Sequence, residues 1–575
     1  MLNLLLFLPV LLLLLAALGI VILQQTRPGI GYAWSIAAVS TLVTAGAVLV
    51  LRWRVPMQVA IEWWRPFAEY STPPVLRLDQ YSWPYAFCLA LIALGFILTD
   101  SARLETEAIP YNWAIGLALT ALGIFTVMSG NLHTLIVAWT AVDMVELIML
   151  MTNSASRRMG AQTVTLFAVR VTGTLLAIVT VLLARSQDVA LDLNAIPPNL
   201  SLLLLLAAGL RLGVLPLNVA YTREVYALRG LGNVMRMIGP ATSMMLLGRM
   251  PAQAVPPEWV GILIFLSALA AVYGAAMWLA SRNEIHGRPF WFTALAALGI
   301  ASVINGQPQS SIAWGMALLL PGSLIFYYTQ QRRQILFLPV LGLIGIIGLP
   351  FTPAAAGWRG IFQASSGALA PLFWLAGLML ALGYLRHVFL RPRGELYRLE
   401  RWVHTVYPAG LLFLVAGQWI VSLIGWPGSF TLGIWWVSVA LALFVALSIG
   451  LFLWLRASWT DRSPAAAAVD PLTAPVPGVT PSAEESAVSA TQNVAGENPR
   501  AAARRWVEQF SRRVGGALAA FFRLTWLYSI FVWLYRLAQN FVDLLTQMFE
   551  GDGGILWSMV MLALLISLIW VGATP

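Results

Sequence analysis

The chain alternates long apolar runs with short polar connectors. Runs of about 20 apolar residues, the length a helix needs to cross the hydrocarbon layer, recur along it. They predict spans near 2–24, 30–51, 81–99, 111–130, 132–152, 162–184, 199–220, 230–249, 257–281, 289–305, 309–329, 333–350, 364–385, 405–426, 431–455 and 555–573. Sixteen such spans define an all-α polytopic membrane protein. The first run, "LNLLLFLPVLLLLLAALGIVILQ", has no basic start and no small-residue cleavage site, so it reads as a helix and not as a leader.

After the fifteenth span the pattern changes. Residues 463–499 are rich in Ala, Pro, Ser and Val and contain no aromatic residue, which predicts a disordered cytoplasmic linker. Residues 500–552 are basic at their start and dense in aromatics. They read either as an amphipathic helix lying along the membrane or as a further span at 514–535 with Arg523 inside it. A continuous helix here would reach roughly 70 Å at about 1.5 Å per residue. The Gly pair in "EGDGGILWSMVMLALLISLIW" then opens the final span.

Two spans carry matching interruptions. The seventh holds Pro216 in "RLGVLPLN", and the twelfth holds Pro350 and Pro353 in "IGLPFTPAAAG". Proline removes a backbone donor and clashes with the preceding turn. Breaks at corresponding places in two halves point to inverted repeats of the transporter kind. The expected organisation is three leading spans (1–110), a first five-helix repeat (111–250) and a second (251–390). Two further spans (391–462), the linker (463–499), the lateral segment (500–552) and the last span (553–575) follow.

Ionisable residues inside spans are the next signal. The fifth span, "NLHTLIVAWTAVDMVELIMLM", holds Asp143 and Glu146, which at i and i+3 share one helix face. The sixth holds Arg170, the seventh Arg211 and the eighth Arg236. A central charge costs roughly 2.5–3.5 kcal/mol unless it is paired or faces water. Two readings follow: a charge relay or ion path, or mutual neutralisation that holds the bundle together. The second repeat carries no ionisable group near a span centre; Glu258 sits at an edge, Arg359 lies beyond the break, and Tyr327 and Tyr328 are its polar aromatics.

Composition sharpens this. Hydrophobic residues make up 59% of the chain and charged ones 10%, far below the roughly 25% of a soluble protein. The net charge of +10 is a topology signal here and not a nucleic-acid one, because most arginines fall in short loops. The odd-numbered loops up to the thirteenth hold 15, among them Arg103, Arg229 and Arg288; the even-numbered loops hold 7, including Arg77 and Arg249. Positive loops mark the cytoplasmic side, which places the N-terminus outside. All 34 basic residues are arginine; the chain has no lysine. One cysteine, Cys88, leaves no internal disulfide framework. No CxxC, metal-spaced His pair, Walker motif or GxGxxG occurs, so no metal, nucleotide or haem cofactor is expected, and no redox centre.

These residues and the span count resemble the antiporter-like membrane subunits of respiratory complex I and of the multisubunit Mrp cation/proton antiporters. The similarity runs over about residues 75–390. "LRLDQYSWPY" resembles the Leu-Asp-Gly stretch before the family's third helix, and "NLHTLIVAWTAVDMVELIML" its fifth helix. "GLRLGVLPLNVAYTREV" resembles its seventh, "NEIHGRPFWFTALAALGIASV" its Asp-Ile-Lys-Arg stretch, and "GLPFTPAAAGWRGIF" its broken twelfth helix. Fifteen spans, a linker with a lateral helix and one more span resemble the largest, L-type subunit. The resemblance implies other membrane subunits as partners in a multisubunit bacterial complex. It also implies translocation of protons or small ions, by a relay of a glutamate on the fifth helix, lysines on the seventh and eighth, and a lysine or glutamate on the twelfth.

Here the chain departs from the family. The glutamate slot falls at Thr140, with Asp143 one turn on; the seventh- and eighth-helix lysine slots fall at Arg211 and near Ala241, and the twelfth-helix slot near Ile361, with Arg359 two residues away. Burial can lower a lysine's pKa until it releases a proton. Arginine stays charged, so Arg211 can be a counter-charge to Asp143 or Glu146 but not a carrier. Three functions are therefore open. One is a subunit that keeps the fold and docks in a larger complex, with translocation weakened or lost. Another is active ion translocation through a rebuilt Asp/Glu/Arg path. The last is the membrane subunit of an inorganic-carbon uptake complex. Any oxidoreductase activity would belong to the complex and not to this chain.

Overall fold

The computed structural model describes residues 2–26, 30–62, 73–103, 109–152, 157–189, 192–217, 229–331, 335–362, 367–389, 394–395 and 399–460. All of them lie within one compact unit, Met1–Ser463. The expected linker (463–499), lateral helix (500–552) and final span (553–575) fall outside the described residues.

The described residues form sixteen α-helices. In order they are α1 (Leu8–Thr26), α2 (Ile30–Leu51), α3 (Trp83–Asp100), α4 (Pro110–Val127), α5 (Leu132–Thr152), α6 (Arg157–Ser186), α7 (Pro198–Arg211) and α8 (Arg229–Gly248). Then follow α9 (Pro257–Ala280), α10 (Glu284–Ile304), α11 (Pro308–Tyr327), α12 (Phe337–Ile347), α13 (Pro353–Phe362), α14 (Ala370–Phe389), α15 (Val403–Ile424) and α16 (Trp435–Thr460). Eleven stretches are long and apolar enough to cross a membrane, so this is a multi-pass membrane protein. α10 and α11 are buried along their whole apolar windows, whereas α1 and α2 leave broad leucine and valine faces exposed, as helices against lipid do.

Short β segments interrupt the all-helical expectation. β1 (Met57–Ala60) and β2 (Val75–Leu78) form an antiparallel hairpin between α2 and α3; β3 (Gln330–Gln331) pairs in parallel with β4 (Gly394–Glu395). After β2, Asp79 organises the entry to α3. Its Oδ1 accepts from the amides of Tyr81 (3.0 Å) and Ser82 (2.9 Å), the residue just before the helix begins.

The centre of the second half is aromatic. Trp278 packs on Trp291, Trp291 on Tyr384, and Trp314 edge-on against Trp358. Helix carbonyls accept from two of these buried indoles: Trp278 donates to Leu380 O (3.2 Å) and Trp291 to Leu318 O (3.1 Å).

Both helix breaks differ in detail from the expectation. The seventh helix stops at Arg211, five residues before Pro216, and not at residue 220. Gly213 takes a left-handed φ of 71°, and the amides of Val214 and Leu215 both turn back to Gly209 O. A Cβ on Gly209 would lie 2.8 Å from Leu215 Cβ, so this fold-back needs glycine there. The expected twelfth span (333–350) shortens to α12, capped by Gly348 at φ 77° with its N–H on Ile344 O (3.2 Å). The chain then forms α13 from Pro353, a helix between the expected spans twelve and thirteen, before α14 begins at 370 and not 364. Pro350 lies in the gap and Pro353 opens α13, where its missing N–H costs nothing.

Candidate functional site

The five charged residues inside spans converge. α5 presents Asp143 and Glu146 on its inner face, α6 brings Arg170, α7 ends on Arg211 and α8 contributes Arg236. All five are buried. Arg211 sits at the carbonyl end of α7, where a cation complements the helix dipole. Its guanidinium grips Asp143 with both ends: Nη1 to Oδ2 at 2.6 Å and Nη2 to Oδ1 at 2.9 Å. Nη1 also donates to Thr174 Oγ1 (2.9 Å) and Arg170 O (3.2 Å), and the Trp139 ring lies 4.2 Å below the charge. Two parallel N–H···O bonds to a carboxylate are a geometry that lysine cannot copy.

Glu146 takes the other two arginines. Arg170 Nη1 bonds its Oε2 and Arg236 Nη1 its Oε1, which makes an Arg–Glu–Arg triad across α6, α5 and α8. Arg170 Nη1 also stands 3.6 Å from Asp143 Oδ1 and so ties the triad to the Asp143–Arg211 pair. Glycines let the helices approach. A Cβ on Gly173 would lie 2.7 Å from Arg211 Cγ and 2.9 Å from Ala207 O; one on Gly239 would lie 3.1 Å from Arg170 Nη2. Trp139 Nε1 donates to Thr242 Oγ1 (3.1 Å), pinning the aromatic floor to α8. A cleft between α5 and α6 reaches this network; Asp143, Glu146, Thr163, Phe167 and Arg170 line it.

The relay slots are filled otherwise than in the resembled family. Thr140 is exposed, and its hydroxyl bonds back to Ile136 O (2.9 Å), away from the network. Asp143, one turn further, is the carboxylate that meets Arg211. Ala241 is buried and apolar, Ile361 is buried on α13, and Arg359 beside it faces outward. Among the described residues no group of three or more His, Cys, Asp or Glu could hold a metal ion.

Sequence reasoning missed further ion pairs, most of them on buried carboxylates. The sequence reads Arg103, Arg229, Arg249 and Arg77 as loop charges, yet each meets a carboxylate, and among these carboxylates Asp192, the partner of Arg77, is half-exposed. Asp100 accepts from Arg103 Nη2 (2.8 Å) and Trp113 Nε1 (2.7 Å); Arg229 Nη1 meets Glu284 Oε1 at 2.5 Å. At the opposite end Arg249 meets Asp79 (2.9 Å) and Arg77 meets Asp192 (2.9 Å). Arg288 is fully buried with its guanidinium 5.7 Å from the Phe326 ring centre. The i,i+3 spacing of Asp100 and Arg103 was a readable signal. Arg229 and Glu284, far apart in sequence, carried none.

No protein family's sequence model matches the chain, and no curated protein matches it. Solved structures do. A chain of respiratory complex I from Thermus thermophilus aligns over 77% of this chain and all of its own length, with 18% identity and a TM-score of 0.56. A chain of the Mrp complex from Dietzia sp. DQ12-45-1b aligns over 99% of this chain and 63% of its own, with 14% identity and a TM-score of 0.61. A chain of the membrane-bound sulfane sulfur reductase, an archaeal respiratory membrane complex, aligns over 97% and 99%, with 14% identity and a TM-score of 0.59. The protein therefore has the fold of membrane chains from these complexes. At such identities the likeness defines the fold and leaves the chemistry to the residues described above.

Proposed function

We propose that this chain is a divergent antiporter-like membrane subunit of a complex I/Mrp-type assembly, in which the buried charges brace the fold and translocation is weakened or lost. The fold likeness supports the class. One observation carries the loss of transport: the in-span charges close on one another, with Arg211 held by both Asp143 oxygens and Glu146 clamped between two arginines. Arginine does not release its proton, so no cation in this network can carry one. In α9–α14 the described Asp, Glu, Arg and His side chains stand at helix ends or on the short α13. On this reading α4–α8 and α9–α14 are the two inverted repeats. The N-terminus faces away from the cytoplasm, and other membrane subunits and the lipid bilayer are the partners.

Reconstitution of the assembled complex in vesicles tests this. Asp143→Asn and Glu146→Gln should assemble less well and move protons at the wild-type rate per assembled complex. Proton movement that collapses in either variant sinks the reading. It would favour active translocation through Asp143, Glu146 and the arginines. One observation already speaks for that alternative: the cleft between α5 and α6 opens on both carboxylates and Arg170.

A further inference from the structure

Three features meet in the gap between α12 and α13. The first is backbone strain. Gly348 and Phe351 both take left-handed φ values, 77° and 65°. Glycine does so freely; for phenylalanine it is strain that the surroundings must hold.

The second is what holds it. The Phe351 amide donates to Thr431 O (2.9 Å), Ser422 Oγ donates to Phe351 O (2.6 Å), and Ser438 Oγ donates to Gly348 O. The Phe351 ring stacks on Phe430 at 4.5 Å and 27°. Gly433, itself at φ 58°, lies against Ala355 O. Every one of these groups belongs to α15, α16 or the segment 425–434 that joins them.

The third is what α13 covers. It packs on α11 and α10 through Gly357 and Gly360. The Gly360 carbonyl accepts from Asn305 Nδ2 (3.1 Å), and a Cβ there would lie 2.5 Å from Ser310 Cβ and 2.8 Å from Ser302 Oγ. A Cβ on Gly357 would meet Trp314 at 2.7 Å. The glycine face of α13 thus covers two hydroxyls and an amide on α10, α11 and the turn between them.

We propose that α13 is a plug hinged at Gly348 and Phe351, that the segment 425–434 with Ser422 and Ser438 is the strap holding it shut, and that release of the strap admits water to Ser302, Asn305 and Ser310. This device stands independently of whether the Asp143–Arg211 network transports anything.

The test uses the full chain in lipid nanodiscs. Hydrogen exchange is read over 348–362 in wild type and in Ser422→Ala/Ser438→Ala. Exchange there should rise about tenfold, the scale of losing a buried hydrogen bond from the closed state, while α10 and α14 stay unchanged. In a Cys88→Ser background, Ser302→Cys should resist a water-soluble thiol reagent and become reactive by a similar factor once the strap is released. Phe430→Ala removes only a largely exposed ring and serves where the double variant does not fold. Unchanged labelling of Ser302→Cys, or exchange that rises evenly along the chain, overturns the proposal.

Discussion

Removing Arg211 alone should be far worse than removing Arg211 and Asp143 together. At an effective dielectric of about 20, unit charges 2.6 Å apart attract by roughly 6 kcal/mol and charges 3.6 Å apart by roughly 5 kcal/mol. Asp143 feels Arg211 at the first distance and Arg170 at the second, so Arg211→Met removes about half of its attraction and both close hydrogen bonds. Desolvation has already consumed most of that attraction in the native pair, so the pair adds little net stability. What the single variant loses is compensation: a buried carboxylate stripped of its main partner costs about 3–5 kcal/mol. The double variant Asp143→Leu/Arg211→Met removes the close pair together and leaves Arg170, which loses its 3.6 Å contact with Asp143, still held by Glu146. It should fall within about 1 kcal/mol of wild type, giving a coupling of several kcal/mol. Reversible unfolding in mixed micelles, run as a double-mutant cycle at fixed pH, measures it. A coupling below about 1 kcal/mol would refute the pairing as a structural brace.

Other substitutions probe the same network and its surroundings. Arg211→Lys keeps the charge but loses the two-pronged bond, and should cost about 1–3 kcal/mol in the same unfolding assay. Gly173→Ala drives a methyl group to 2.7 Å from Arg211 Cγ and 2.9 Å from a backbone oxygen, which should cost about 2 kcal/mol. Gly46→Ala, on α2 with nothing within 4 Å, should be neutral or stabilising by up to about 1 kcal/mol; equal losses at both glycines would discredit the packing argument. Trp113→Phe removes a donor from Asp100 and should destabilise by about 1–2 kcal/mol, read as a lower unfolding midpoint with unchanged helicity.

The helical skeleton was legible because membrane helices announce themselves by length and apolarity. Ends and breaks were less so. Pro216 marked the seventh helix as irregular, yet the helix stops at Arg211, because the fold-back onto Gly209 depends on Gly213 and on the close approach of Leu215 within the same turn. Pro350 and Pro353 marked the second break. The apolar-run count passes over α13 because ten residues are too few to span a membrane, although the family resemblance of "GLPFTPAAAGWRGIF" places this segment in the broken twelfth helix. The β1–β2 hairpin was missed because four-residue strands between long spans leave no apolar period to count.

The buried charges show where one-dimensional reading fails. Asp143, Glu146, Arg170, Arg211 and Arg236 stood out because each interrupts an apolar run. Arg103, Arg229 and Arg249 did not, because a charge at the end of a span looks the same whether it faces water or a neighbouring helix. Counting them as topology signals treats them as solvated. The structure instead sets Arg103 and Arg249 against buried carboxylates and lays the half-exposed Arg229 over buried Glu284. An arginine that neutralises a buried carboxylate is retained for packing and charge balance whichever side of the membrane it occupies. The side-to-side imbalance of the loops therefore rests on fewer free charges than a sequence count assigns. An orientation argued from it gains weight only from arginines that no buried carboxylate holds in place.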